Sequence, residues 1–192
     1  MVGGMYPYGL IGNCHVSAHI HESGSVDWLC LPRPDSDPVF GRILDPEGGH
    51  FSISSPTSSA QVKTTQRYEQ YGRVYRPAAL FRIVEPLAGT PSIRVSCRPV
   101  TGWGKEYARG MRGNSHVRYD IRGEYLRLLT NMPLTYLYEE RPFALTEKTY
   151  FALTWGLGIE DDLAKVSHEF LDQTTRYWRM WVKHCSIPVL HQ

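Results

Sequence analysis

No apolar run in this sequence exceeds a few residues, far short of the roughly 20 that a membrane-spanning helix needs. The opening MVGGMYPYG has neither a charged n-region nor an apolar h-region, so no export signal is expected and the chain reads as soluble and cytoplasmic. There is also no block of five or more basic residues: 21 lysines and arginines face 19 aspartates and glutamates, a net charge of +2 over 192 residues. That balance argues against nucleic acid as a partner, because phosphate recognition leaves a basic stripe or patch. Cysteine is scarce. Cys14, Cys30, Cys97 and Cys185 form no CxxC pair and have no His-rich segment at zinc-finger spacing. Reduced, mostly buried thiols are expected, with two disulfides as the reading for a secreted chain.

What the sequence does have is punctuation, with 17 glycines and 13 prolines. Up to about residue 158, short β-branched and aromatic segments stand between turn signals such as ESGS, DPEGG, PLAGTPS and NMP. The segments are HVSAHIH (15–21), SVDWLCL (25–31), HFSIS (50–54), ALFRIVEPL (79–87), SIRVSCRPV (92–100), HVRYDIRG (116–123), EYLRLLT (124–130) and EKTYFALTW (147–155). Strands at this spacing, with no helices between them, predict an antiparallel β-sandwich over residues 1–158. Alternation sets Val16, Ala18 and Ile20 toward a core and His15, Ser17, His19 and His21 away from it. In the same way Ile93, Val95 and Cys97 face in, and Arg94, Ser96 and Arg98 face out.

The texture then changes. Leu163, Val166, Phe170, Thr174, Tyr177 or Trp178, Trp181 and Cys185 recur every three or four residues, which predicts one amphipathic helix within a terminal segment, 159–192. Asp161 or Asp162 suits its N-cap, Lys183 and His184 suit its negative C-terminal end, and Pro188 limits continuation.

The stretch GSVDWLCLPRPDSDPVFGRILDPEGGHF (24–51) holds Asp27, Asp35, Asp37, Asp45 and Glu47, and glycosidases work with two carboxyl groups across the scissile bond. Asp35 and Asp37 lie in a proline-bracketed turn and Asp45 and Glu47 in DPEGG, where backbone capping is the preferred reading, and spacing selects no acid and no base. His15, His19 and His21 on one strand face are the best metal candidates, yet a solvated polar face is preferred and no metal is expected. Cys14 beside His15 and Cys185 beside His184 point to opposite faces where they lie on a strand, a poor nucleophile–base geometry. Trp103 and Tyr107, in the glycine-rich TGWGKEYARGMRGNSHVRYD, offer ring faces for stacking on a sugar, with closure of the sandwich or its hairpins as the preferred reading.

The segments YGLIGNCHVSAHIHESGSVDWLCLPRPDSDPVFGRILDPEGGHF (8–51), YGRVYRPAALFRIVEPLAGTPSIRVSCRPV (71–100), YLRLLTNMPLTYLYEERPFALTEKTYFALTWG (125–156) and EFLDQTTRYWRMWVKHCSIP (169–188) together resemble the start of bacterial proteins of glycoside hydrolase family 15, the glucoamylase and trehalase-like group. The resemblance implies an N-terminal β-supersandwich, a linker helix, and then an (α/α)6 barrel carrying two catalytic glutamates that invert an α-glucosidic bond without metal or organic cofactor. The 192 residues do not reach such a barrel, so no catalytic residue is carried over and the chain alone is expected to be inactive. A barrel in cis or in trans is the implied partner, docking on Tyr177, Trp178 and Trp181, with an α-glucoside as ligand. The PRPDS loop, which has Pro34 where an aromatic is usual, is implied to face barrel and cleft, with Arg33 and Asp35 supporting. A further strand pair usual between RY and GRVYRP does not fit in residues 67–73, leaving a sheet edge to be covered or paired. Two other readings stay open: a free-standing carbohydrate-binding or interaction module, and half of a split glycosidase. A homo-oligomer through the helix or the open edge is a further expectation.

Overall fold

The computed structural model describes residues 6–13, 15–56, 60–66, 78–103, 106–156 and 158–185. Period-two alternation does most of the folding, as HFSIS, SIRVSCR, HVRYDI and EYLRLLT all form strands with one buried face. In chain order the strands are β1 (Tyr8–Gly12), β2 (Ser17–His21), β3 (Val26–Cys30), β4 (Pro38–Phe40), β5 (His50–Ser54), β6 (Ala60–Gln66) and β7 (Ala79–Pro86). There follow β8 (Ser92–Arg98), β9 (Gly110–Arg112), β10 (His116–Ile121), β11 (Glu124–Thr130), helix α1 (Leu134–Tyr138), β12 (Phe143–Ala144), β13 (Thr149–Trp155) and helix α2 (Leu163–His184). All pairings among the described residues are antiparallel. One sheet runs β1-β2-β3-β5-β8-β12 with β4 on β3, and the other runs β6-β7-β13-β11-β10-β9. The expected mainly β sandwich with a long C-terminal helix is therefore the observed architecture.

The inner faces meet in one core that includes Phe51, Ile93, Val95, Val117, Leu126, Leu128, Phe151 and Leu153. Phe51 and Phe151 close it edge to face across the sheets, with centroids 6.1 Å apart. β7 and β13 are buried on both faces, which explains why ALFRIV and TYFALT lack the clean alternation of their neighbours. Their outer face is covered by α2, where Val166 and Phe170 pack on Ala79, Phe81 and Ala152. Asp162 caps this helix by accepting from the Lys165 amide at 2.7 Å, and Lys183 and His184 occupy its last turn, as its sequence predicts.

Two features depart from expectation. A one-turn helix, α1, interrupts the β region where none is expected; it buries Leu134 and Leu137. Just beyond it Glu140, at φ 52, accepts from Ser96 Oγ at 2.8 Å and from Arg98 Nε and Nη2 at 2.8 and 2.6 Å, pinning α1 to β8. The second is Arg82, which parity puts on the inner face of β7 and which is fully buried. It donates to the carbonyls of Phe51, at 2.8 Å, and Gly24, and lies 4.6 Å above the Phe51 ring.

His50 lies opposite Arg98 on the outer side of the first sheet. Burial first, then the cations Arg42 and Arg98, pull its imidazole down to about 4. A base whose folded value lies below its unfolded one gives stability that is complete above about pH 6.5 and drains away as pH falls toward 4. His50→Gln is thus expected to flatten the urea midpoint between pH 6.5 and 4, by about 1 kcal/mol after allowing for solvent screening of a half-buried group.

Candidate functional site

The loop LPRPDSDP (31–38) leaves β3 through a cis Leu31–Pro32 peptide. It closes on itself, with the Ser36 amide on the Arg33 carbonyl at 3.1 Å and the Arg33 amide on Ser36 Oγ at 3.2 Å. Arg33 and Asp35 form an ion pair with each other at the surface, about two-thirds exposed, which holds the Asp35 carboxyl below its ordinary range. Asp37, two residues on, instead reaches across the fold and pairs with Arg122 in the β10–β11 turn. The loop thereby separates two concavities.

The larger, of about 600 Å³, is mostly apolar and runs between Leu10, Ile11, His15, Pro34, Thr64 and Trp178. The smaller, of about 340 Å³, is polar and is walled by Asp35, Asp37, Arg122, Glu124, Gly102 and Trp155. Its tightest point is Gly102: at φ +88, a Cβ there would sit 2.8 Å from both Arg122 Nη2 and Asp37 Oδ2. Only glycine lets the two loops close on that ion pair.

The other expected site residues are scattered. Trp103 stands out at 61% exposed and packs beside Trp28 with centroids 6.1 Å apart. Tyr107, half exposed, bridges Val100 across the same hairpin. Asp27 is buried and accepts from Ser25 Oγ at 2.5 Å, Tyr8 at 3.2 Å and Arg42 at 3.4 Å, while Asp45 Oδ1 accepts from the Glu47 amide at 2.9 Å. Asp45 thus caps its turn, whereas Asp27 is a strand residue held by three side chains. His19 contacts Tyr6 and His21 contacts Ser23, whereas His15 lies outside the strand and lines the larger concavity. Among the described residues no three His, Cys, Asp or Glu side chains gather as a metal site.

On α2, Tyr177, Trp178 and Trp181 form a ladder of edge-to-face rings with steps of 5.2 and 5.6 Å. Trp178 turns back onto the sandwich, donating Nε1–H to the Gly12 carbonyl at 3.1 Å. Past it, Met180, Trp181 and Val182 are about half exposed. Every residue of the helix from Arg179 to His184 is exposed.

Cys30, Cys97 and Cys185 are free thiols. Burial pushes Cys97 up to about 12 and raises Cys30, so neither supplies thiolate near neutrality. Site-resolved iodoacetamide labelling of the native protein is expected to modify Cys185 and spare Cys30 and Cys97 until denaturant is added.

The described residues thus form a two-sheet antiparallel sandwich with a long helix packed on the outer face of one sheet. The chain matches, over residues 5–78, the model described as trehalase-like, N-terminal. It is similar to the trehalase of Mycolicibacterium smegmatis, 26% identical over 231 residues spanning 94% of this chain and 35% of that protein. It is equally similar to the trehalase of Mycobacterium tuberculosis, again 26% over 231 residues, 94% of this chain and 34% of that protein. Trehalase 1 of Sulfolobus acidocaldarius is 52% identical over 50 residues, 26% of this chain and 9% of that protein. The chain spans about a third of the length of the first two relatives. Their aligned span exceeds this chain's 192 residues, so they carry segments that it does not. The strand pair expected to be missing at 67–73 lies outside the described residues. No solved structure matches the chain. No described helix is long and apolar enough to cross a membrane.

Proposed function

We propose that this chain is the non-catalytic β-sandwich part of a family 15 glycoside hydrolase, and that it supports and docks an (α/α)6 barrel which cleaves an α-glucosidic bond. The observation that carries the reading is the exposed end of α2: Trp178 is held by Gly12, while Met180, Trp181 and Val182 in the next turn stay half exposed. An apolar helix end held in place by its own domain is a preformed docking surface. Similarity to trehalases makes trehalose the first substrate to try for the assembled enzyme, with maltose and soluble starch beside it.

The test is glucose release by the 192-residue chain alone and with a separately expressed barrel from the M. smegmatis relative. The chain alone is expected to be silent and the mixture active above the barrel alone. Activity of the chain alone, or a barrel indifferent to it, would overturn the proposal. A stand-alone sugar-binding module is the second reading, favoured by the exposed Trp103 ring beside the polar cleft residue Gly102.

A further inference from the structure

We propose that the 340 Å³ cleft between the 31–38 loop, the Gly102 hairpin and the β10–β11 turn is a pyranose-binding subsite, with Arg122 as its principal hydrogen-bond donor. The inference rests on the glycoside hydrolase reading for its choice of sugar, and on the cleft itself for its place. Four chain segments far apart in sequence converge there, contributing Asp37, Gly102, Arg122 with Glu124, and Trp155.

The turn that carries Arg122 is unusual in composition. Arg122 and Gly123 both have positive φ, 56° and 84°, the two-residue hairpin geometry that ordinarily takes Asn-Gly. An arginine in the first place gives up the small side chain that the left-handed backbone prefers. In return its guanidinium is placed on Asp37 across the cleft.

That pair is not closed off. The Arg122 side chain is 61% exposed and that of Asp37 35%, so donors and acceptors remain for a ligand. A guanidinium locked by a carboxylate offers its remaining N–H groups at fixed spacing, which suits two neighbouring hydroxyls of a sugar ring. Glu124, with no ion-pair partner among the described residues, supplies an acceptor at the end of the same hairpin turn, and the Trp155 ring an apolar wall for the C–H face. A few fixed polar groups around one aromatic, in a pocket of this size, describe a site for one or two sugar rings. The larger concavity is mostly apolar, and its lining includes no arginine, lysine, aspartate or glutamate.

The test is isothermal titration of the full chain with trehalose, maltose and, as a non-ring control, mannitol, alongside tryptophan fluorescence. Saturable binding of a disaccharide but not mannitol is expected. Arg122→Asn keeps a residue suited to the turn and should weaken binding at least ten-fold with an unchanged circular dichroism spectrum; Glu124→Gln should weaken it less. Absence of saturable binding to the folded chain would overturn the proposal. So would binding that survives Arg122→Asn but is lost in Trp103→Ala, which would move the site to the hairpin tip. Restoration of barrel activity without sugar binding would sink the subsite alone, and sugar binding without restoration would sink the docking role alone.

Discussion

Arg82→Ala is expected to cost about 3–5 kcal/mol, read as a lower urea midpoint and melting temperature by circular dichroism. Arg82 is on β7 in one sheet, and its two acceptors, the carbonyls of Phe51 in β5 and Gly24 in the β2–β3 turn, belong to the other layer, so the guanidinium ties the layers together through the core. No carboxylate pairs with it among the described residues, and burial pulls it down to about 9. Its charge is offset instead by carbonyl dipoles and the face of Phe51, while Nε finds no partner. Truncation would leave a cavity and deprive two buried carbonyls of a donor, a large part of the 5–15 kcal/mol that holds a typical domain. Arg82→Met keeps most of the volume and removes the desolvated charge, so it should cost only about 1–2 kcal/mol. Equal losses in the two variants would show that the cross-sheet tie matters and the volume does not.

Arg82 also shows where the sequence stops being legible. Strands with one wet face announce themselves: in SIRVSCR the buried Ile93, Val95 and Cys97 alternate with exposed or half-exposed neighbours, as expected. β7 is buried on both sides, so its apolar run has no contrast from which to tell inner from outer residues. Nothing local marks the one charged residue as a core group. The helix was readable to within two residues at its start, because the Asp162 cap and the spacing of Val166 and Phe170 are local signals. α1 was not, since five residues hold a single turn and too few repeats for a period. The cleft was hidden for another reason: Asp37, Gly102, Arg122 and Trp155 come together only through tertiary folding. Resemblance pointed to Arg33 and Asp35, yet those two pair with each other, and it is Asp37 in the same loop that pairs with Arg122. The aromatic stripe of α2 likewise gave no hint that Trp178 would be spent on Gly12 while Trp181 stayed exposed.

That division of labour along α2 leads to the second large effect. Phe170→Ala is expected to cost about 3–4 kcal/mol, because Phe170 is 8% exposed and meets Phe81 edge to face at 4.5 Å in the small core beneath the helix. The loss should fall on the helix first, since that core holds few residues besides Val166, Ala79 and Ala152. Amide exchange across residues 163–184 is expected to accelerate while the exchange of β5 and β8 holds. Trp181→Ala touches a half-exposed ring and should leave stability within about 0.5 kcal/mol. If the exposed end of α2 is the docking surface, both variants abolish activation of a separately supplied barrel, one by releasing the helix and the other by removing the ring it presents. Trp181→Ala with full activation would mean that the barrel is held elsewhere, and would turn attention to the 600 Å³ concavity beside Trp178.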